Sequence, residues 1–446
     1  MHFKVTSELG VCLSDSGFTM DELVRRMEDL FEAKAFPEIL ALILLQFDEM
    51  IRISVMTGRK IPFTCPRCGH DGFALNGVRT RTIKTRLGTV VLPRMTRVKC
   101  RRCGTSGAPL LHLCGLDRYQ SKTNGLEKLV LEQCAQNSYR RANRNLRETT
   151  GVDVGHSTFH RWVLNTNADE IKIPEDTVDT MPQILYADGT KCKARNEGGM
   201  AIKGDIKVML GVRGDGEMVP IGTWTGHETW NQIGDELEEN GIHFPDGTIL
   251  VSDGEIGLAD SLARFASEQQ RCHWHVVHDT YFNIWQNQGT TADAKPYQKR
   301  LKKILAIELP ADTHQPATEE QKKSIQEAMR KAETEVAILI ADLREKNFPI
   351  AANYLERARN SMFGYIRRWL SLGVICPRAS SLIERTMREI ARRIKRIAYN
   401  WKEKGLGKIT RILLKIWSSE EEWNQYWEKR MKSSANVVLN FRILKA

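Results

Sequence analysis

The sequence predicts a multidomain α+β protein. N-terminal helices, a zinc ribbon and a helix-turn-helix precede an α/β domain that an all-helical insertion interrupts. Three observations predict this arrangement: two Cys-x-x-Cys pairs, two short apolar runs that each end in Asp-Gly, and a long charged stretch of helical character over residues 279–375. With 446 residues, 41% of them hydrophobic, the chain can form several packed cores.

The charge of the chain indicates a polyanionic partner. The net charge is +11, and the basic residues concentrate in two regions. Residues 78–103 contain nine Lys or Arg and no acidic residue, and residues 376–416 contain twelve against three Glu. A single run of this kind would be an ordinary solvated surface, but two runs that each adjoin a motif favour nucleic acid.

No segment predicts membrane insertion or export. The chain lacks a run of 18 apolar residues, and Met1–Val11 lacks a signal-peptide pattern. We therefore expect a soluble protein of the cytoplasm, associated with the nucleoid, with no membrane partner. Ten cysteines in that compartment do not indicate a disulfide framework.

The N-terminal region, residues 1–60, has helical periodicity over residues 18–56. Thr19 and Asp21 are candidate N-caps, and we expect a helical hairpin that serves packing or dimer contact.

A zinc ribbon is predicted over residues 61–115. Two knuckles, each followed by Gly, supply four thiolates for one tetrahedral Zn²⁺: Cys65, Cys68, Cys100 and Cys103. A redox function is the alternative for one such pair, but two pairs argue against it. The segment between them alternates like a hairpin with its turn at Gly88. Its basic side chains are candidate contacts to DNA phosphates: Arg79, Arg81, Lys84 and Arg86.

Residues 120–172 predict three short helices in a helix-turn-helix arrangement. Gly151 ends the second helix and Ser157 is the expected N-cap of the third. The predicted groove-facing residues are Ser157, Thr158, His160 and Arg161, while Phe159, Trp162 and Val163 would pack inward. The alternative is an ordinary three-helix connector. A polar linker at residues 172–182 marks the next boundary.

Residues 183–278 predict the first part of an α/β core. The run from Gln183 ends in Asp188-Gly, and the run from Thr248 ends in Asp253-Gly. Strands over residues 201–212 and 217–224 are joined by hairpin-turn residues. Three antiparallel strands, a crossover and a fourth strand beside the first describe an RNase H-like sheet. In such a sheet, the two Asp residues lie on adjacent central strands.

The helical insertion is predicted over residues 279–375, with helices at 298–309, 318–346 and 349–372. Residues 376–446 would hold the last helix of the core and the C-terminal helices. Glu384 opens that last helix, whose buried stripe is Ile383, Met387, Ile390, Ala391 and Ile394. Basic residues cover the rest of its surface and are candidate DNA contacts: Arg385, Arg388, Arg392 and Arg396.

Asp188, Asp253 and Glu384 together predict a site for hard divalent cations, which prefer oxygen ligands. Two Mg²⁺ or Mn²⁺ ions would activate a water or a 3′-hydroxyl and stabilise the leaving oxygen. One such Asp alone is as often a turn residue. The competing carboxylates are Asp205, Glu255 and Asp279.

Cys272-His-Trp-His275 follows the second Asp. Only two potential metal ligands, Cys272 and His275, are visible at this spacing. We therefore expect them to support the active site through hydrogen bonds rather than bind zinc. Trp274 has two interpretations, a core tryptophan or a platform on which an unpaired base stacks; the first is the expectation.

The order of these motifs resembles the Mutator-like DDE transposases of prokaryotic insertion sequences. The resemblance covers roughly residues 180–400 and rests on Tyr186-Ala-Asp-Gly-Thr, Ser252-Asp-Gly, Cys272-x-x-His275, the helical insertion and Glu384 in its basic helix. Many relatives have Asn before and after the Glu, where this chain has Ser381 and Arg388.

The resemblance implies binding of terminal inverted repeats and metal-dependent cleavage and transfer of double-stranded DNA. It also implies a homodimer or a larger assembly. Two alternatives stay open: a domesticated, catalytically idle DNA-binding protein, and a structure-specific nuclease of the RNase H fold.

Overall fold

A computed structural model describes residues 20–171, 181–196, 198–226, 228–310, 317–397 and 401–431. The predicted cap Thr19 and most of the predicted linker lie outside these residues. The chain is a mixed α+β protein with two compact units. One contains the described residues up to Thr166 and those from Glu421 onward, and the other runs from Asn167 to Glu420.

The N-terminal helices form one helical run rather than a hairpin. Helix α1 (Met20–Leu30) continues through a π-helical turn (Phe31–Ala35) into α2 (Phe36–Met56). The expectation of a hairpin was wrong because the residues flanking the π-helical turn keep helical dihedral angles. Helix α2 buries Asp48, whose carboxylate accepts hydrogen bonds from the backbone N–H and the hydroxyl of Thr96 at 2.8 and 2.7 Å.

The predicted hairpin is present and longer than expected. Strands β1 (Phe73–Thr85) and β2 (Gly88–Cys100) pair in antiparallel register, with Thr85 opposite Gly88 at the turn. A short third strand, β3 (Ser106–Gly107), pairs with β2.

Helix α3 (Pro109–Leu113) precedes the three predicted helices, which are α4 (Asn124–Gln136), α5 (Tyr139–Thr150) and α6 (His156–Asn165). Gly151 ends α5 as expected, with a left-handed φ of 63°. Ser157 is not the N-cap of α6, because the helix begins at His156 and Gly155 holds the cap position, two residues earlier than expected. Helix α16 (Glu420–Met431) buries Trp423 and Trp427, the first of which donates to Glu132 of α4 at 2.9 Å.

The second unit is built on one sheet. Its strands are β4 (Ile184–Arg195), β5 (Ala201–Val212), β6 (Met218–Gly226), β7 (Ile249–Ser252) and β8 (Glu268–Arg271), in the spatial order β6-β5-β4-β7-β8. Strands β4, β5 and β6 are antiparallel, whereas β7 and β8 run parallel to β4. The order predicted for the first four strands is confirmed, and β8 was not foreseen.

Two connections cross between the strands. Helix α7 (Trp230–Glu239) leads from β6 to β7, and α8 (Leu258–Leu262) with a 3-10 turn (Ala263–Phe265) leads from β7 to β8. Apolar side chains of β4 and α7 form a buried core on one side of the sheet, including Leu185, Ala187 and Ile233. The parallel pairing of β4 with β7 places these two strands side by side.

The helical part of the second unit begins at α9 (His273–Gln286), and continues with α10 (Thr291–Ile304), α11 (Glu319–Glu345), α12 (Pro349–Ala358) and α13 (Gly364–Leu372). Thr318 caps α11 as the predicted boundary requires. The helix expected over 349–372 is two helices, because Gly364 packs so closely on the backbone of Gln269 that a Cβ would overlap its carbonyl. The helix expected over 298–309 starts seven residues earlier, at the capping box of Thr290.

Helix α14 (Ser381–Ala391) carries Glu384 and packs beside β4, and a π-helical turn (Arg392–Ile397) extends it. Its predicted stripe is buried at Ile383, Met387, Ile390 and Ile394, while Ala391 is half-buried. Strand β9 (Trp401–Lys402) pairs with the end of β4, and α15 (Glu403–Ser418) follows. Among the described residues, none of the helices combines the length and the apolar character that crossing a bilayer requires.

Candidate active site

Asp188 and Asp253 occupy equivalent places on neighbouring strands. The parallel ladder between β4 and β7 ends at the pair Ala187–Ser252, and each Asp is the next residue. Strand β4 does not end there, because Asp188 still pairs with Val208 of β5. The backbone N–H of Gly189 donates to the Asp188 carboxylate at 2.7 Å, and that of Glu255 donates to Asp253 at 2.9 Å.

The carboxylate of Asp188 is buried and feels the charge of Asp253. Burial and the charge of Asp253 raise the pKa of Asp188 to about 7, against the smaller opposing effect of the Gly189 hydrogen bond. A cation bound nearby would stabilise the ionised form of this carboxylate.

Glu255 is a further carboxylate at this edge. A Cβ at Gly189 would lie 2.9 Å from its Oε2 atom, so the absence of a side chain there admits Glu255. Its charge contributes to the raised pKa of Asp188. Of the three competitors named from the sequence, Glu255 is the one that the structure places against Asp188.

Gly254 and Arg271 form a contact that sequence reasoning missed. Gly254 has a φ of 91°, and a Cβ there would overlap the guanidinium of Arg271 at the end of β8. That guanidinium also lies over the ring of Tyr354, with 5.2 Å between its Cζ and the ring centroid. The Asp-Gly pattern indicated a turn, but nothing in it indicated that a cation covers the glycine.

Glu384 reaches the same region from α14. Its carboxylate accepts a hydrogen bond from the Ser380 hydroxyl at 2.8 Å and lies 3.8 Å from Nδ1 of His275. His275 also interacts electrostatically with Asp188 and Asp253. The imidazole therefore interacts with all three predicted carboxylates, which come from β4, the end of β7 and α14.

Cys272 and His275 are hydrogen-bonded to each other. The expectation that they support an active site through hydrogen bonds stays a prediction. The buried Cys272 thiol accepts from the Ser380 N–H at 3.3 Å. Burial opposes its ionisation, but the hydrogen bonds from His275 and Ser380 outweigh this and lower the pKa of the thiol. Burial likewise opposes protonation of His275, yet Cys272 and the carboxylate of Asp253 raise its pKa to about 9.

The sequence showed two potential metal ligands here, and the structure adds a third. One ligand atom each from Cys272, His275 and Glu384 lie within 4.8 Å of one another. Sulfur and imidazole ligands suit zinc better than Mg²⁺.

Trp274 is not a core residue. It is 53% exposed on α9, and its ring stacks on His278 with 4.3 Å between centroids. The expectation of a core tryptophan was therefore wrong.

The four predicted zinc ligands converge. Their Sγ atoms lie within 4.8 Å of one another, with Cys65 3.4 Å from Cys103 and Cys68 3.7 Å from Cys100. Four sulfurs at about 2.3 Å from one tetrahedral ion would be spaced by about 3.8 Å. The group is thus compatible with structural zinc. Each knuckle turns through a glycine of positive φ, Gly69 at 68° and Gly104 at 74°.

The basic residues predicted to contact DNA differ in their surroundings. On the hairpin, Arg79 and Arg86 are exposed. Arg81 donates to the Gln120 carbonyl at 2.5 Å and Lys84 to the Asp153 carbonyl at 2.8 Å, so these two side chains hold the hairpin to the segment that follows it. On α14 and its extension, Arg385, Arg388 and Arg396 are exposed, and Arg392 pairs with Glu389 at 2.7 Å.

Some of the α6 residues predicted to face DNA already contact other side chains of the protein. Ser157 and Arg161 are exposed, while Thr158 accepts a hydrogen bond from Arg161 at 3.1 Å and His160 packs edge-on against Tyr139. Helix α5 adds an exposed basic face that sequence reasoning did not select: Arg140, Arg141, Arg144 and Arg147. Their spacing on one amphipathic helix is the signal that could have identified them.

Comparison with known families identifies the family to which the chain belongs. The family model for transposases of the Mutator family matches residues 67–425, so the chain belongs to that family. This confirms the resemblance that the motifs predicted and makes the chain a member of a class of enzymes that act on DNA. A comparison with curated proteins found no match.

Proposed function

We propose that the chain is a DDE transposase that binds terminal inverted repeats and performs metal-dependent cleavage and transfer of DNA strands. The observation that carries this proposal is the equivalent placement of Asp188 and Asp253 at the end of one parallel ladder, with His275 linking both to Glu384. The sheet order of the second unit supports an RNase H-like core.

The carboxylates suit two divalent cations, Mg²⁺ or Mn²⁺. The donor atoms are oxygens, and burial together with the charge of Asp253 raises the pKa of Asp188; a bound cation would offset both effects. When bound, such ions supply Lewis-acid activation of a water or 3′-hydroxyl and stabilisation of the leaving oxygen. Asp188, Asp253 and Glu384 would hold them.

The surrounding residues would position that set. Ser380 donates to Glu384 and to Cys272, and His275 contacts both Ser380 and Glu384, so the start of α14 is tied to the start of α9. Cys272, His275 and Glu384 already have hydrogen-bond or ion-pair partners in this network. We therefore assign Cys272 and His275 to positioning and Glu384 to the hard cations, rather than all three to zinc.

The N-terminal modules would grip DNA. We propose one structural Zn²⁺ at the four-cysteine ribbon and a helix-turn-helix in α4, α5 and α6, with phosphate contacts from Arg79, Arg86 and the Arg face of α5. The proposed domains are residues 1–60, 61–115, 120–172, 183–278, 279–375 and 376–446. The enzyme would act in the cytoplasm at the nucleoid, as a homodimer or larger assembly that pairs two ends.

The test is Mg²⁺-dependent nicking and strand transfer on DNA carrying the ends that flank the gene. We expect Asp188→Asn, Asp253→Asn and Glu384→Gln to lose at least 10²-fold in rate while still binding the ends. Asp260→Asn, an exposed change in α8, serves as the control and should act like wild type.

The outcomes separate the alternatives. End binding without any nicking by wild type would indicate an idle DNA-binding protein, and nicking without strand transfer would indicate a nuclease. If Glu255→Gln is inactive while Glu384→Gln is active, Glu255 is the third ligand and the assignment of Glu384 is wrong.

A further inference from the structure

We propose that the aromatic side chains beside the cavity at the start of α9 form a platform on which an unpaired DNA base stacks, with Trp274 as the stacking ring. This inference rests on the proposed function, since it names a feature of the DNA that the same enzyme would hold. It concerns a base that has left the duplex, rather than the duplex itself.

Three rings form a ladder along one face of α9. Trp274 and His278 stack with 18° between their planes, and His278 lies 4.8 Å from Phe282. Trp274 and Phe282 are 53% and 46% exposed. Residues spaced by four lie on one face of a helix, so the three rings lie along one side of α9.

A cavity opens beside Trp274. It has a volume of about 400 Å³, within the range of small-ligand sites. Its lining combines aromatic, apolar and polar side chains: His273, Trp274, Val277, His278, Gln298, Lys302 and Leu305. Such a lining offers a base an aromatic ring for stacking, apolar contacts and a few polar groups.

The charge around the cavity selects a phosphate-bearing ligand. Helix α10 exposes Lys295, Lys299 and Lys302 at a spacing that places them on one side of the helix, and Lys302 lines the cavity. The acidic neighbour on α9, Asp279, pairs with His278 at 2.9 Å and accepts from Tyr354 at 3.2 Å. Aromatic faces combined with lysines match single-stranded nucleic acid, because every base has a stacking face and every nucleotide carries a charge.

The platform adjoins the proposed active site in sequence and in space. Trp274 lies between Cys272 and His275, and its ring meets that of His275 edge-on with 4.8 Å between centroids. His275 in turn contacts Glu384. A base held on Trp274 would therefore belong to a nucleotide close to the strand being cut, and stacking would keep that base from re-pairing.

The experiment compares two DNA substrates of equal length, a full duplex and the same duplex with one extrahelical 2-aminopurine. Binding affinity and the quenching of 2-aminopurine fluorescence are measured for wild type, Trp274→Ala and Trp285→Ala. Trp285 is the matched control, because it is 65% exposed on the same helix, does not line the cavity, and lies about 16 Å further along the axis.

We expect Trp274→Ala to weaken binding of the extrahelical substrate by about 5- to 150-fold, as the loss of one stacked base does, and to abolish the quenching. Duplex binding should be unchanged, and replacing the 2-aminopurine by an abasic site should make wild type and Trp274→Ala equal. Trp285→Ala should match wild type throughout.

Equal affinity and quenching for wild type and Trp274→Ala would overturn the platform, as would an equal loss in Trp285→Ala. A change in oligomeric state of Trp274→Ala at the same protein concentration, without a change in quenching, would show that the rings contact a second copy instead. These outcomes leave the proposed function intact if wild type still nicks the duplex, whereas failure to bind or nick any DNA overturns both.

Discussion

Asp188 is an unusual carboxylate because burial and a like charge act on it together. Both effects disfavour its ionised form and raise its pKa from 3.8 to about 7. The raised pKa means that the metal-free protein is stabilised by protonation of Asp188. That contribution is present in full below about pH 4 and is lost as the pH rises through about 7.

A cation reverses this dependence, since it binds the ionised form and competes with the proton. We predict that Mg²⁺ at about 5 mM, a concentration that should saturate carboxylate sites, raises the melting temperature more at pH 8 than at pH 6. In Asp188→Asn the rise should be small and the same at both pH values. Thermal denaturation with and without Mg²⁺ measures this, and an equal rise for wild type at both pH values would contradict it.

Gly254 has no side chain, and this leaves room for the guanidinium of Arg271. We predict that Gly254→Ala costs about 1–2 kcal/mol because of its positive φ, and that it also abolishes nicking because the new Cβ displaces Arg271. Gly216→Ala is the control, because Gly216 has nearly the same φ, 89° against 91°, and nothing within 4 Å of the new Cβ. Urea denaturation and nicking assays on both variants separate strain from displacement; equal activity of the two would contradict the prediction.

The site residues that could be predicted from the sequence are those with a recognisable pattern within one short segment. A buried apolar run ending in Asp-Gly predicts Asp188 and Asp253 without knowledge of any partner. Arg271 over Gly254 and Glu255 against Gly189 depend on a contact between separate segments, and no local pattern reports such a contact. The exposure of Trp274 depends on how α9 packs, which the local sequence does not show. The expectation of a core tryptophan was wrong for that reason.

Among the elements, the cysteine knuckles were predictable because four-thiolate metal sites have a characteristic spacing in sequence. Helix ends were predictable where a side chain caps them, as at Thr318 and Ser138. They were not predictable where tertiary packing decides, as at Gly364, whose contact with Gln269 breaks an otherwise helical run. Strand β8 is four polar or charged residues, so it carries no apolar signal and owes its place to pairing with β7.

The four-cysteine ribbon is the element whose stability should depend on a bound metal ion. We expect purified protein to contain one Zn²⁺ per chain, and Cys68→Ser to lose it with a fall in melting temperature, because the thiolates of a structural site are held together by the ion. Cys114→Ser, which alters an exposed cysteine outside the cluster, should keep both zinc and stability. Elemental analysis and thermal denaturation measure this.

Two outcomes would correct the assignment. A zinc-free wild type that is as stable as the zinc-loaded protein would remove the structural role of the metal. Two Zn²⁺ per chain, one of which survives in Cys68→Ser, would show that Cys272, His275 and Glu384 also bind zinc.

At the scale of the whole molecule, the candidate site joins residues that are far apart in sequence. Asp188 and Glu384 are separated by the entire helical part, yet His275 interacts with both. The resemblance to a family indicated that these residues belong together, and the sheet order explains the placement of two of them. The position of Glu384 follows from the packing of α14 beside β4.

DNA binding can depend on one basic face of the protein or on the net charge of the whole chain. If DNA binding depends on the exposed Arg face of α5, Arg144→Ala should weaken binding to specific and unrelated duplexes alike and lower the slope of log K against log salt by about 0.9, the value for one phosphate contact. Arg330→Ala on α11 removes the same formal charge from another exposed helix and should change neither quantity. Titrations between roughly 50 and 200 mM salt measure both slopes. Equal slopes for the two variants would mean that binding follows the net charge of +11 rather than this face.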